Sequence, residues 1–215
     1  MAGQIQTIRG VPGGIMVDGE AKVLTEVYDG YKWDTVAVHN SGAAVASGQQ
    51  FYYFRDLTDK NLIDCNITQQ RRISRGEEME VKTIGAHVSC RQPDGAQQAT
   101  LDIMWAVERL YLELKVNKKP VSEGPIAVYQ SGLGVTGYSS RTTTDVLTNG
   151  VASQAAVRPL YKNIDLTSEH DIEGQMTHFS AAWLTTYTAP TIAAADAILL
   201  RLFLGGRIKV GITRG

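Results

Sequence analysis

The feature that most constrains the fold is a series of short segments in which apolar and polar residues alternate, each ended by a turn sequence. The stretch from Phe51 to Val88 shows it most clearly, as FYYFRDLTDKNLIDCNITQQRRISRGEEMEVKTIGAHV. It contains an aromatic strand at 51–54, a polar loop, a turn at 75–77 and a second alternating strand. The alternation slips in phase near Thr83, which predicts a β-bulge.

Similar segments recur along the chain. Asp29-Gly30 and Gly205-Gly206 predict hairpin turns between neighbouring strands. One short helix is predicted at 100–109, and the Gly, Ser and Thr residues of 131–154 predict long loops. The remaining predicted strands are 22–28, 33–39, a short edge strand at 62–67, 110–116, 176–187, 197–204 and 207–213. About nine or ten strands with long loops predict an all-β sandwich or jelly roll.

The domain organisation follows from where the strands begin. The Gly-rich residues 1–19 are predicted to form an N-terminal arm, and residues 20–215 a single domain. The chain shows no internal repeat, and no change in composition marks a second domain.

Charge argues against a protein that binds nucleic acid. The 215 residues carry 21 basic and 22 acidic side chains, a formal net charge of −1. Proteins that neutralise phosphates usually show a basic excess or a basic stripe. The one local basic cluster, Arg71, Arg72 and Arg75, is followed at once by Glu77, Glu78 and Glu80. We interpret this segment as a solvated loop or a self-complementary contact between subunits.

Two cysteines, Cys65 and Cys90, are too few for a disulfide scaffold or a four-cysteine zinc site. Two buried thiols are expected, with one disulfide as the alternative. The N-terminus lacks the pattern of a signal peptide, so we expect folding in a reducing cytoplasm. The apolar run 192–204 is interrupted by Asp196 and Arg201 and is shorter than the ~20 residues of a membrane-spanning helix.

The motifs that could carry chemistry each lack a necessary partner. Residues 132–137 spell GxGxxG, but the YSSRTTTD that follows favours a loop over the helix that phosphate binding requires. The histidines are His39, His87, His170 and His178, and the acidic residues near His170 are Asp165, Glu169, Asp171 and Glu173. We interpret the latter group as a solvated acidic loop, with a metal site as the alternative. We therefore predict no catalytic, cofactor or metal site, and no enzyme.

The tryptophans leave one further alternative. Trp33, Trp105 and Trp183 all lie within apolar patterns, which favours packing in the core or at a subunit contact. A sugar-binding face of the kind found in lectin sandwiches would use the same residue types.

Three blocks resemble small jelly-roll capsid proteins of tailless bacteriophages. They are FYYFRDLTDKNLIDCNIT with ISRGEEMEVKTIGAHV, then LYLELKVNKKPV after the predicted helix, and the terminal AILLRLFLGGRIKVGI. Together they cover about half of the chain. The resemblance implies a virion shell subunit that assembles, in the host cytoplasm, into trimers or capsomers with copies of itself and other virion proteins.

Two departures from that family refine the expectation. A double jelly roll needs about sixteen strands of ~5–6 residues plus loops, which 215 residues can hardly supply, so a single jelly roll is preferred. The chain also lacks an Arg-rich arm, so no direct binding to the genome is expected, and an internal viral membrane or another protein could lie between.

The sequence therefore leads to one hypothesis and two alternatives. The hypothesis is a major capsid protein with a single jelly roll, one short helix and long loops. The alternatives are a decoration or minor shell protein, and a carbohydrate-binding β-sandwich module.

Overall fold

The computed structural model describes residues 5–7, 14–17, 20–23, 25–38, 47–90, 108–129, 157, 159–179 and 198–211. Within them lie eleven strands: β1 Ile5–Thr7, β2 Gly14–Val17, β3 Glu20–Val23, β4 Thr25–Val38, β5 Gln50–Tyr53, β6 Glu77–Cys90, β7 Leu110–Val116, β8 Lys119–Pro125, β9 Pro159–Thr167, β10 Ile172–His178 and β11 Ile198–Gly211. A single 3-10 turn follows β8 at Ile126–Val128.

The strands form three antiparallel sheets. β1, β2 and β3 make a small three-stranded sheet, and two four-stranded sheets have the orders β4-β11-β6-β9 and β5-β10-β7-β8. Two strands therefore lie inside the predicted arm 1–19, and residue 20 begins β3, which pairs with β2. The division of the chain at that position remains a prediction.

The two larger sheets pack face to face around one apolar core. Burial alternates along β7 and β10, as a strand with one buried face requires. The sheets approach closely: a Cβ on Gly174 of β10 would lie 2.7 Å from Leu202 Cδ2 of β11. The all-β sandwich predicted from the alternating segments is confirmed.

The connectivity of the sandwich is that of one long hairpin folded over on itself. The last strand pairs with the first of the eight, β11 with β4, and the pairs β10 with β5, β9 with β6 and β8 with β7 lie progressively inside. Lateral pairing of β11 with β6 and of β10 with β7 then completes each sheet. All eight strands are thus placed by four nested antiparallel pairs.

The two predicted glycine hairpins are wrong. Asp29-Gly30 lies inside the continuous strand β4, and Gly205-Gly206 lies inside β11, where Gly206 pairs with Gly30. These glycines do not form a turn; they allow neighbouring strands of the sheet to approach each other closely. A Cβ on Gly206 would lie 2.0 Å from the carbonyl oxygen of Glu80, and one on Gly205 would lie 2.5 Å from Thr83 Oγ1.

The predicted bulge near Thr83 is confirmed. The register of β6 against β11 shifts so that Gly205 faces Thr83 and Gly206 faces Val81, which leaves Lys82 as the extra residue. The partner β9 deviates further, because Ile164 faces Val81 while Pro159 faces Thr83. Residues 160–163 of β9 therefore bow out of the ladder.

Other expectations are met in part. The strands at 51–54 and 110–116 and the turn at 75–77 lie where they were predicted. The edge strand at 62–67 is wrong: this segment is a series of turns, with one bridge from Cys65 to Asp34. Of the helix at 100–109, only Glu108 and Arg109 are among the described residues, and both are helical. The strand predicted at 176–187 is present as β10, which starts earlier, and residues 180–187 lie outside the described residues, as do the loops at 131–154.

Candidate functional site

The loop between β5 and β6, residues 54–76, is the longest described connection within the sandwich, and it folds against the edge of β4. Phe54 and Arg71 both adopt left-handed backbone conformations, with φ of 62° and 57°. The Arg71 amide donates to the Phe54 carbonyl at 2.7 Å, and the Ile172 amide donates to the Arg71 carbonyl at 2.7 Å. These bonds close the base of the loop and attach it to β10. Four of its apolar side chains are buried: Phe54, Cys65, Ile67 and Ile73.

The middle of the loop covers the backbone edge of β4. The Asn66 amide donates to the Trp33 carbonyl at 3.3 Å, and the Trp33 amide donates to Asn66 Oδ1 at 2.8 Å. Asn66 Nδ2 donates to the Tyr31 carbonyl at 2.7 Å, and Trp33 Nε1 donates to the Ile63 carbonyl at 3.1 Å. An open strand edge invites pairing with other chains, so this loop protects the edge and holds Ile63 beside it.

A buried carboxylate, Asp34 of β4, binds the loop to the sandwich. Its side chain is fully buried, and Lys60 Nζ lies 2.6 Å from Oδ1. Oδ1 also accepts from the Thr35 amide at 2.8 Å, and Oδ2 accepts from the Phe54 amide at 2.6 Å. A buried charge is tolerated only when it is paired and hydrogen-bonded, and here the loop supplies the cation, Lys60, and one of the two amide donors, Phe54. Neither Asp34 nor Lys60 was singled out from the sequence, because residues 26 positions apart give no local signal of their pairing.

A second ion pair lies near the first. Lys32 of β4 is 6% exposed and its Nζ lies 2.7 Å from Glu77 Oε2. The same carboxylate oxygen accepts from the Ser74 amide at 3.3 Å. The first pair joins the loop to β4, and the second joins β4 to Glu77, the first residue of β6, where the loop ends.

The Cys65 thiol and the Tyr53 hydroxyl near Asp34 are held in their neutral forms. Burial raises the pKa of the Cys65 thiol to about 11, while its hydrogen bond with Ile67 opposes the shift and the Asp34 charge adds to it. Burial, and then the same charge, raise the pKa of the Tyr53 hydroxyl well above its ordinary value. A thiol that stays protonated is a poor nucleophile, so the geometry around Asp34 supports the loop and not covalent chemistry. Cys65 is a free, buried thiol, and the side chain of Cys90 lies outside the described residues.

The arginine and glutamate clusters of 71–80 do not pair with each other within the chain. Arg71 lies 3.7 Å from an oxygen of Asp171 and 3.3 Å from one of Glu173. Glu77 pairs with Lys32, as described above, while Glu78 lies 3.9 Å from Lys209 and Glu80 lies 3.8 Å from Lys82. Arg72 and Arg75 are exposed. Several of the charges that the predicted self-complementary contact between copies would use are therefore already paired within one chain.

The remaining candidate residues are dispersed. His170 lies in the turn after β9, where its Nδ1 accepts from the Thr167 amide at 3.0 Å. His87 lies on β6, where burial and then the charge of Arg201 lower its pKa. Across the described part of the chain, no group of three or more His, Cys, Asp or Glu side chains could hold a metal ion. His39, Trp105, Trp183 and the glycines of 132–137 lie outside the described residues. No described helix is long and apolar enough to cross a membrane.

Most of the exposed large apolar side chains lie at the two opposite edges of the sandwich, whereas Phe179 follows the central strand β10. One group lies along β4 and its covering loop, with Leu62 75%, Ile63 72% and Tyr31 60% exposed; we call these three residues the knob. Val27 and Tyr28 extend the same edge. The grouping at the β4 edge has no local signal in the sequence, because it depends on the loop folding back over β4.

The opposite edge contains a cavity between β8 and the bowed part of β9. Its volume is about 290 Å³, and we call it the socket. Ile84 and Tyr129 are its buried walls, and Tyr129 Oη lies 2.9 Å from Ser122 Oγ. Val121 and the fully exposed Tyr161 lie at its rim. The other lining residues are Glu123, Pro159, Leu160 and Lys162.

Comparisons with models of known families, with curated proteins and with solved structures find no match to this chain.

Proposed function

We propose that this chain is a structural subunit of a viral particle, a major capsid protein with a single jelly-roll domain that assembles with copies of itself. The observation that carries the proposal is the nested pairing of the eight sandwich strands, β4 with β11, β5 with β10, β6 with β9 and β7 with β8. This double Greek-key order is the arrangement of a jelly roll, a fold of many viral shell domains.

The surface and the long loop agree with a role in assembly. A shell subunit needs repeated contacts more than it needs a ligand cavity, and exposed apolar groups such as those at the two edges are typical of contact sites. The loop 54–76 is bound to β4 by the ion pair of Lys60 with the buried Asp34, and Glu77, the first residue after the loop, pairs with Lys32 of β4. A contact residue on such a loop is presented in a fixed position, which lowers the entropy lost on association.

The test is the mass of the purified full chain over a wide range of concentration, by sedimentation velocity and light scattering, with electron microscopy of the largest species. We expect trimers, capsomers or shells. A species at the mass of one chain, 23.4 kDa, at every concentration would contradict the proposal.

A carbohydrate-binding module is the second candidate, because lectin domains share the jelly-roll fold and the socket places Tyr129 and the exposed Tyr161 near Glu123. Aromatic rings with nearby polar groups are the usual lining of small-molecule sites. A strict monomer that binds oligosaccharides on an array, and loses that binding with Tyr161→Ala, would favour this candidate over the capsid subunit.

A further inference from the structure

The knob and the socket lie on opposite edges of one sandwich. β4 and β9 are the two edge strands of the same sheet, with β11 and β6 between them. The loop 54–76 holds the knob at the β4 edge through Trp33 and Asn66. A knob therefore cannot reach the socket of its own chain, and the two surfaces are available to different neighbours.

The shapes of the two surfaces are complementary. Leu62 and Ile63 project as adjacent aliphatic side chains that are 75% and 72% exposed. The socket, about 290 Å³, has Ile84 in its wall and Val121 at its rim. That volume is at the low end for small-molecule sites but ample for aliphatic side chains, which gain about 25 cal/mol for each Å² of apolar surface removed from water.

The exposed charges around the two surfaces are also complementary. The segment 56–64, which carries Leu62 and Ile63, has exposed carboxylates at Asp56 and Asp59, and its Lys60 is paired with Asp34. The exposed arginines of the loop, Arg55, Arg72 and Arg75, lie towards its two ends. On the other edge, Lys118, Lys119 and Lys162 lie exposed on β8, on the turn before it and on the bowed part of β9, and they outnumber the exposed Glu123 and Asp165. Opposite potentials of this kind orient an encounter and disfavour contact of like edges.

We infer that the knob of one copy of this chain inserts into the socket of the next copy, in a head-to-tail contact. The inference rests on the proposed function, since it names the surfaces through which the subunit would assemble. Because knob and socket are different surfaces, the contact is heterologous, and repetition closes into a ring or continues into a larger assembly.

The experiment uses two charge variants of the full chain. Ile63→Asp places a carboxylate in the knob, and Val121→Asp places one at the rim of the socket. Each variant alone should self-associate about 30-fold or more weakly than the natural chain, because a charge would be buried at the contact. Gln70→Asp is the matched control, since it adds the same charge at an exposed position of the same loop, and it should assemble normally. Circular dichroism and thermal unfolding check that each variant is folded.

Mixing the two variants distinguishes a head-to-tail contact from other arrangements. The Ile63→Asp chain retains its socket and the Val121→Asp chain retains its knob, so the mixture should form a one-to-one dimer that grows no further. A mixture that stays monomeric would overturn the head-to-tail contact. Variants that assemble as well as the natural chain would overturn the inference and leave the proposed function standing. A natural chain that never exceeds one subunit would instead overturn the proposed function.

Discussion

At the scale of single residues, the carboxylate of Asp34 is the group on which the long loop depends. It is fully buried and accepts from Lys60 Nζ and from the amides of Thr35 and Phe54. Each donor comes from β4 or from the start or middle of the loop. The loop's geometry is therefore coupled to one ionised side chain.

Replacing that carboxylate should destabilise the protein strongly. We expect Asp34→Ala to lower the free energy of unfolding by about 3–5 kcal/mol, because it leaves the Lys60 charge without its partner in a poorly solvated site. Urea unfolding followed by tryptophan fluorescence measures the change. Asp59→Asn is the control, an exposed carboxylate on the same loop whose loss should change stability by less than about 0.5 kcal/mol. Equal effects of the two substitutions would show that the buried pair does not hold the loop.

The thiol of Cys65 should make stability depend on pH in the alkaline range. Its pKa is about 11 in the folded chain against an ordinary value of 9.0. Below pH 9 the thiol keeps its proton in both the folded and the unfolded chain, so Cys65 adds no pH dependence to the free energy of unfolding there. Between about pH 9 and 11 the unfolded chain releases the proton first, so the free energy of unfolding falls as pH rises.

The measurement is urea unfolding at a series of pH values for the natural chain and for Cys65→Ala. The variant should lose most of the decline between pH 9 and 10. Above pH 10 it should keep the part of the decline that Tyr53 contributes, since the pKa of Tyr53 is also raised and acts in the same direction. An unchanged slope between pH 9 and 10 would contradict the assignment to Cys65.

At the scale of elements, the strands with one buried face could be predicted from the sequence, but the structural role of the glycines could not. The alternation in 110–116 and the phase slip near Thr83 are local properties of the sequence, and β7 and the bulge of β6 confirm both. Gly30 and Gly206 carry the same local signal as a hairpin turn. Their actual role depends on β11 lying between β4 and β6, which is set by strands more than a hundred residues apart. The pair of Asp34 and Lys60 could not be predicted for the same reason. The pair forms only when the loop folds over β4 and buries the Asp34 side chain.

Substitution at Gly206 distinguishes a continuous strand from a hairpin turn. A turn would accept Gly206→Asn, since asparagine tolerates left-handed conformations. In the continuous strand, any Cβ at this position meets the carbonyl oxygen of Glu80 at 2.0 Å. We therefore expect Gly206→Ala and Gly206→Asn each to lower the free energy of unfolding by about 3 kcal/mol or more.

Gly48 provides the comparison for that test. It has a φ of 81°, but a Cβ added there would meet no atom within 4 Å, so Gly48→Ala should cost only about 1–2 kcal/mol of backbone strain. Thermal or urea unfolding of the three variants gives the ranking. Full stability of Gly206→Asn would indicate a turn at 205–206 and contradict the continuous strand.

At the scale of the whole molecule, the nested topology makes folding start far from the chain ends. Within the sandwich, the innermost pair, β7 with β8, is joined by the two-residue turn Asn117-Lys118, in which both residues have positive φ, as a tight hairpin requires. The outermost pair joins 25–38 to 198–211. Loop-closure entropy makes the first pairing fast and the second slow, so the hairpin is expected to form before β11 docks.

Two matched leucine substitutions test that order. Leu112 of β7 and Leu200 of β11 are both fully buried, so truncation to alanine should cost each about 2–5 kcal/mol. Because β7 pairs early, Leu112→Ala should mainly slow folding, whereas Leu200→Ala should mainly speed unfolding. Stopped-flow folding at a concentration where the chain is monomeric separates the two rates. The reverse assignment would mean that β11 with β4 forms the folding nucleus, and that the sandwich closes from its outermost strands inward.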